Sequence, residues 1–389
     1  MRARELGIRV GNGEPGPRNA ITDVAGVRVG HTTLIEGHGA LRVGTGPVRT
    51  GVTVVVPHDG NVWEEPLFAG SHRLNGNGEM TGLQWVQESG NLKCAIGITN
   101  SHSVGVVRDA LVAAEIEARS PGHLYWSLPV VGETWDGMLN DINGLHVRAE
   151  HAAEALRVAA ASPVPEGSVG GGTGMICHEF KGGIGTASRV TDAAEGGHTV
   201  GVLVQANHGR RERLTVNGVP VGALVTGDET PLPAAPETSA LAGPAGGGSI
   251  IVLVATDAPL LPNQCSRLAQ RAALGVARTG GTGENWSGDL FFAFSTANRG
   301  MPASDYGDPS PLTVPLTMLS NTYIGALFDA VVEATEEAIL NALLAAETMI
   351  GRDGVTAHRL EPDRLVQILA DHGRLDARIP SRRSERSEA

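Results

Sequence analysis

Cysteine is scarce in this chain. Cys94, Cys177 and Cys265 are the only three in 389 residues, they lie far apart, and no CxxC pair occurs. An odd, dispersed set excludes a disulfide framework and fits a reducing compartment. Long apolar runs are lacking too. No stretch approaches the roughly eighteen uncharged apolar residues of a membrane span, and the start, MRARELGIRVGNGEPG, has no signal-peptide core. The expectation is a cytoplasmic protein without a membrane partner. Basic charge is in deficit: 30 Lys and Arg stand against 42 Asp and Glu, a formal charge of -12. Such a field repels nucleic acid and anionic membrane and suits cationic or zwitterionic small substrates.

Common catalytic signatures are also missing. There is no GxSxG elbow, no HExxH helix and no GxxxxGK[ST] loop. One GxGxxG occurs, Gly11 to Gly16, but it contains Pro15 and follows only a stub of strand, so it reads as a turn. The block SVGGGTGMICHEFKGG lacks the Lys-Ser/Thr ending of a phosphate cradle. Thirteen histidines show no ligand spacing, which argues against a metal site. Cys177 and His178, read as neighbours along a strand, would point to opposite faces and make no catalytic pair.

Glycine is abundant, at 53 residues, in short clusters between apolar runs that mark tight turns and close backbone approaches. The runs GVTVVVPH (51–58), CAIGITN (94–100), VGVLVQAN (200–207), SIIVLVATD (249–257) and DLFFAFSTA (289–297) predict strands buried on both faces. Helical periodicity predicts helices over 104–118, 263–277 after Pro262, and 327–349 before Gly351. Continuous apolar strands need cover on both faces, so the fold class is α/β, a four-layer αββα sandwich in a single domain. Residues 227–248, GDETPLPAAPETSALAGPAGGG, read as a flexible linker, and the tail from Pro380 as disordered.

The end of that linker carries the functional signal. By composition GGGS is a flexible linker, after which a turn or polar residue is expected. Instead Ser249 is followed by Ile250, Ile251, Val252, Leu253 and Val254. A mobile arm thus ends at a serine fixed in a sheet, an arrangement suited to self-cleavage. Glycine at 248 leaves the carbonyl uncrowded for attack by the Ser249 hydroxyl. The freed Ser249 would carry an α-amine with a pKa of about 7.7–8.0, a suitable general base beside its own nucleophile.

Beyond this segment, NAITDVAGVRVGHTTL (19–34), GNGEMTGLQWVQESG (76–90), ITNSHSVGVVRDA (98–110), PVVGETWDGMLNDING (129–144), GSVGGGTGMICHEFKGGIGTASR (167–189), VLVQANHG (202–209), GSIIVLVATDAPLLP (248–262) and WSGDLFFAFSTAN (286–298) together resemble the DmpA-type aminopeptidases, which include the β-peptidyl aminopeptidases and the L-aminopeptidase/D-esterases. The resemblance implies an αββα fold similar to N-terminal-nucleophile hydrolases but differently connected. It implies self-cleavage between Gly248 and Ser249 into an α chain (1–248) and a β chain (249–389) that stay together. It further implies homo-oligomers, typically tetramers of the cleaved pair, and neither metal nor cofactor.

The resemblance also assigns roles. Asn207 matches the oxyanion-stabilising asparagine; on sequence alone a strand-terminal turn residue is the favoured reading, as Asn217 is expected to be. Ser287 and Asp289 match a Ser-Gly-acid element that would orient the terminal ammonium and raise its pKa, the alternative being a cap before the strand. Glu133 matches the glutamate that binds the substrate's free amino terminus; alternatively Glu133, Asp136 and Asp141 form a solvated acidic loop. Some relatives carry tyrosine where this chain has Trp135, so a hydroxyl contributed there is missing. The implied activity is release of an N-terminal residue from short peptides, amides or esters through an acyl-enzyme on Ser249. Two readings compete: an acyltransferase like the ornithine acetyltransferases, which use threonine after a different motif, and a non-catalytic scaffold that stays uncut.

Overall fold

The computed structural model describes residues 1–122, 124–234, 248–302 and 311–375. The strands of its two large sheets and one small hairpin are β1 (Arg28–Glu36), β2 (Val48–Val56), β3 (Leu67–Gly76), β4 (Asn91–Leu92), β5 (Ile96–Asn100), β6 (Val130–Thr134), β7 (Ile176–Cys177), β8 (Phe180–Lys181), β9 (Gly183–Val190), β10 (Thr199–Asn207), β11 (Ser249–Thr256) and β12 (Gly288–Ser295). The helices that position them are α1 (Leu83–Ser89), α2 (Val104–Glu117), α3 (Ala149–Arg157), α4 (Val221–Leu224), α5 (Pro262–Arg278) and α6 (Ile324–Ala345). One sheet has the order β1-β2-β5-β6, the other β4-β3-β12-β11-β10-β9.

The apolar runs sit as their pattern demands. Along β11, Ile250, Val252 and Val254 face a core shared with Cys265, Leu268 and Ala272 of α5 and Val331 and Ala338 of α6. Ile251, Leu253 and Ala255 face the second core, between the sheets, where they meet Ile96 and Ile98 of β5. A third core seals Val52 and Val54 of β2 under α2 and α3. Helix, sheet, sheet, helix is the four-layer αββα sandwich that doubly buried strands require.

Glycine permits one close approach within this stack. A Cβ on Gly185 of β9 would lie 1.9 Å from the Ala338 carbonyl oxygen, so α6 can reach the sheet only because this position is bare. The same helix explains the GxGxxG segment. Backbone N–H groups of Asn12 and Gly13 donate to the Glu333 carboxylate at 2.9 and 2.8 Å, an internal anion where a cofactor phosphate would otherwise be sought.

Helix α6 also anchors the first part of the chain to the last. Arg189 on β9, 1% exposed, meets Glu333 at 3.0 Å and Glu337 at 2.7 Å, and Arg4 reaches Glu337 at 3.0 Å. Burial alone would raise the Glu337 carboxyl, but Arg189 and Arg4 hold it below the ordinary glutamate value.

Two sequence expectations need adjustment. Helix α6 stops at Ala345 instead of continuing to Met349, because Ala346 turns extended (ψ 141°). The segment 227–248 does not begin as a free linker: Thr230 N–H closes a turn onto Thr226 O at 2.9 Å, Arg211 donates to the Thr230 carbonyl, and Glu229 pairs with Arg364 at 2.6 Å. Residues 235–247 of that segment, and the tail from Pro380, lie outside the described residues. Among the described residues no helix is long and apolar enough to cross a membrane.

Candidate active site

Three strand ends converge on Ser249. It opens β11, pairs with Asn207 at the end of antiparallel β10, and pairs with Gly288 at the start of parallel β12. Alternation places Ser249 on the same side of β11 as Ile251 and Leu253, facing the gap between the sheets. Its side chain is buried, and its Oγ accepts the Gly288 backbone N–H at 3.1 Å. A hydroxyl oxygen held by a fixed N–H donor is positioned by rigid backbone on both neighbouring strands.

Asn207 is oriented by partners that leave its amide no choice. Ile176 N–H donates to Oδ1 at 2.8 Å, and Nδ2 donates to the Trp135 carbonyl at 2.9 Å. An N–H can only donate and a carbonyl can only accept, so oxygen and nitrogen are assigned by chemistry. Asn207 is therefore not a solvated turn residue. Asn217 is a turn residue, with φ 49° in the turn closed by Val216 and Val219, but it is half-buried and its Nδ2 donates to the Arg9 carbonyl at 3.0 Å.

Glu133 comes from the other sheet, on β6. It is 5% exposed, its Oε1 accepts Glu79 N–H at 2.9 Å and its Oε2 accepts the Ser101 hydroxyl. Burial raises its carboxyl above the ordinary glutamate value, against the opposing pull of those two hydrogen bonds. Asp136 and Asp141 are also buried, each 1% exposed, so the stretch GETWDGMLNDING is no solvated acidic loop. The sheets are tied just below the site, where Gln205 Nε2 donates to Thr99 O at 3.0 Å and Thr134 Oγ1 at 2.7 Å.

A cavity of about 600 Å³ opens between these groups, with Ser249, Gly248, Asn207, Glu133 and Trp135 in its wall. Glu79, Met138, Ile176, Glu179 and Trp286 complete much of the lining. Carboxylates and apolar surface together suit a ligand with a cationic end and an apolar body. Ser287 and Asp289 do not line it. They stand behind Ser249 at the entry of β12, where the Ser287 hydroxyl donates to Asp289 Oδ1 at 2.6 Å. Burial raises the Asp289 carboxyl to about 6, opposed by the Ser287 hydroxyl and Ile250 N–H.

Glycines make the close contacts possible. A Cβ on Gly78 would lie 3.0 Å from Gly288 Cα and 3.1 Å from Glu133 Oε1, so the 76–80 loop can wedge between the two sheets only without one. Position 248 is more restrictive. A Cβ there would lie 2.0 Å from the Asn207 carbonyl oxygen and 3.2 Å from His208 Cα. Gly248→Ala is therefore expected to displace the 248 carbonyl from Ser249. If that carbonyl is attacked, cutting should slow about 100-fold, the usual effect of an ångström of misplacement. Denaturing gels of purified protein over time would read it, and cutting at the unmodified rate would refute it.

Sequence reasoning did not single out Ser101, the Glu79 and Gly288 backbone N–H groups, or the lining residues Ile176, Glu179 and Trp286. Ser101 lies in ITNSHSVGVVRDA, but nothing in that block shows which serine meets a carboxylate on the neighbouring strand. The backbone donors leave no residue-type signal at all.

Residues 19–357 match the model of peptidase family S58. The chain is 50% identical over 379 residues to the β-peptidyl aminopeptidase BapA of Sphingosinicella microcystinivorans, covering 97% of this chain and 93% of that protein. It is 43% identical over 390 residues to the protein of that name from Sphingosinicella xenopeptidilytica, covering 98% and 92%. Among solved structures, a Burkholderia sp. β-aminopeptidase superposes with a TM-score of 0.88 at 54% identity, over 96% of this chain and 99% of that one. The L-aminopeptidase D-Ala-esterase/amidase of Ochrobactrum anthropi, described as a prototype for the serine aminopeptidases and a new variant among the N-terminal-nucleophile hydrolase fold, gives 0.85 at 42% identity, over 96% and 99%.

Proposed function

The chain belongs to peptidase family S58 and is an aminopeptidase of the N-terminal-nucleophile hydrolase fold, and from that premise we propose that it cuts itself between Gly248 and Ser249 and then works through an acyl-enzyme on Ser249. The supporting observation is the convergence of Ser249, Asn207 and the Gly288 N–H at three adjacent strand ends, facing a cavity that also holds Glu133.

In maturation, Ser249 Oγ attacks the Gly248 carbonyl carbon, the C–N bond to Ser249 breaks, and the hydroxyl proton ends on the departing nitrogen. Water then hydrolyses the resulting ester, leaving a Gly248 carboxylate and a free Ser249 α-amine. In turnover, that amine takes the Oγ proton, Oγ attacks the substrate carbonyl, and the second Nδ2 hydrogen of Asn207 donates to the oxyanion. The amine returns its proton to the leaving group, and water releases the acyl group. Ser287 and Asp289 act as positioning residues for the new ammonium. The cleaved chains stay together because β11 and β12 lie between β3 and β10 and because Glu333 and Glu337 hold Arg4 and Arg189.

Substrates carry a free amino terminus, which Glu133 binds. The carboxylate and the nucleophile stand on different sheets tied rigidly together, so the gap between them selects how many atoms separate ammonium from carbonyl. The likeness to two β-aminopeptidases at 50% and 54% identity favours a β-amino residue at the amino terminus. The test compares p-nitroanilides of β-alanine, L-alanine and D-alanine. A β-alanine preference supports the assignment, and a preference for either α-amino substrate refutes it.

Two expectations probe the flanking carboxyls. Glu133→Gln keeps an acceptor for Glu79 N–H but loses the charge. It is expected to lower kcat/KM for free-amine substrates roughly 30-fold or more, the loss of about 2–5 kcal/mol for a buried charge partner, without affecting chain cutting. Asp289 tunes the acid side of the pH profile, which the Ser249 amine sets because it must be neutral to take the Oγ proton. The Asp289 carboxyl, raised by burial to about 6, is ionised at neutral pH and holds the amine's titration up. Asp289→Asn should shift the acid limb of kcat/KM to lower pH, as a pH–rate profile of each protein would show.

We also infer assembly into a homo-oligomer, a tetramer of cleaved pairs. In its support, the segment 311–320, which forms neither helix nor strand, is clamped at Thr317 by Asn298 yet presents Leu312, Leu316 and Met318 to solvent.

A further inference from the structure

The hairpin of β7 and β8 brings together residues that the peptidase chemistry leaves unused. It turns through His178 and Glu179, both with positive φ (49° and 58°), so His178 is not a strand residue and the expectation that it points away from Cys177 does not apply. Cys177 Sγ lies 3.8 Å from Nδ1 of His208, and the His178 and His208 rings stand edge to face with centroids 5.1 Å apart. One ligand atom from each of the three residues lies within 4.8 Å of the other two. Cys177 and His178 are fully buried and His208 is 4% exposed.

The hydrogen bonding leaves this cluster short of partners. His178 Nδ1 sits 3.0 Å from the Arg210 carbonyl, which can only accept, so Nδ1 carries the proton and Nε2 keeps its lone pair. Among the described residues neither His178 Nε2 nor His208 Nε2 has a hydrogen-bond partner. An imidazole oriented by a carbonyl on one nitrogen, with the other nitrogen bare, is the usual state of a metal-binding histidine. The cluster adjoins the active-site cavity. Gly209 lines that cavity, and a Cβ there would lie 2.4 Å from Cε1 of His178, so the ring packs directly against a cavity-lining residue.

We propose that Cys177, His178 and His208 bind one zinc-like ion, apart from the peptidase machinery. One thiolate and two imidazoles favour zinc or cadmium over the oxygen-seeking magnesium and calcium, and three protein ligands match the donor count of open zinc sites. Coordination draws the three ligand atoms together and releases the thiol proton to solvent. The ion would stiffen one cavity wall, since Ile176 in the same hairpin holds Asn207 Oδ1 and His208 follows Asn207 directly. No step of catalysis passes through it.

The test adds excess Cd²⁺, Co²⁺ or Zn²⁺ to chelator-treated full-length protein, removes unbound metal, and reads metal content and absorbance. One ion per chain, with a thiolate-to-metal charge-transfer band for Cd²⁺ and Co²⁺, is expected. Both signals should be lost in Cys177→Ala and His208→Gln. The uncut Ser249→Ala protein should bind as well as the unmodified chain, which separates this inference from the cleavage reading. A folded unmodified protein that shows no band and retains no stoichiometric metal overturns the proposal whatever the variants do. So does binding that survives in Cys177→Ala.

Discussion

Ser249→Ala is expected to yield a single uncut chain whose turnover falls by on the order of 10⁴-fold or more, the scale of losing a nucleophile that works with its own base. The effect is large because one residue is asked to do two jobs. Alanine removes the Oγ that attacks Gly248, so the α-amine is never freed, and the general base disappears with the nucleophile. The fold should persist, since β11 stays buried on both faces through Ile250 to Thr256 and, among the described residues, the one hydrogen bond lost is that from Gly288 N–H. Gel bands and amino-terminal sequencing read the cut; in the unmodified protein the smaller band should begin SIIVLV. An alanine variant that still yields two chains, or one that turns over p-nitroanilides at the unmodified rate, refutes the assignment. A β fragment produced with a blocked amino terminus separates the two jobs: the hydroxyl is present, the base is not, and activity should remain low.

The layered fold was legible because its signal is local. A run such as SIIVLVAT must be covered on both faces, and the helices after Pro262 and before Gly351 announce themselves by periodicity, the first also by its Pro262 start, whereas Gly351 does not mark the end of the second, which stops at Ala345. Strands without that signal were less visible. In β9, GIGTASRV, glycine, alanine and serine give little apolar pattern, yet every residue but the last is buried because α6 lies directly on it. In β1, RVGHTTLIE, only two of nine positions are fully buried.

The site divides along the same line. Ser249 could be found by its abrupt junction with a strand, a property of one segment. That Asn207 lies opposite Ser249, or that Gly78 must be bare so that Glu133 and Gly288 can approach, is a matter of register between distant segments. No single sequence carries register; the resemblance of ordered blocks supplied Asn207 and Glu133 instead, and left Gly78 and Gly288 unmarked. The same gap hid the cluster of Cys177, His178 and His208: its members lie on a hairpin and at a strand end some thirty positions apart, with no ligand spacing to read.

The second large effect is expected at Asn207. Asn207→Ala should lower kcat by about 10²–10³, the usual loss when one oxyanion donor is removed, with KM changed far less because the donor acts on charge that develops only in the transition state. The site gives this donor unusual preorganisation. Trp135 O and Ile176 N–H fix the amide plane before any substrate arrives, and β10 holds the backbone opposite Ser249. Asn207→Asp is the sharper probe. Its shape is nearly the same and it can still accept from Ile176 N–H, but when ionised it has no hydrogen to offer either the Trp135 carbonyl or an oxyanion. The aspartate should therefore be at least as impaired as the alanine near neutral pH, and its deficit relative to the unmodified protein at the same pH should shrink in acid, where the carboxyl recovers a proton to donate. Self-cleavage requires an oxyanion at Gly248 as well, so both variants should mature slowly, and rates must be normalised to the fraction of cut chain. Steady-state kinetics on p-nitroanilides with active-site counting would read these values. An alanine variant with unchanged kcat and raised KM would move Asn207 from the transition state to ground-state binding, leaving the Gly288 N–H as the donor to examine next.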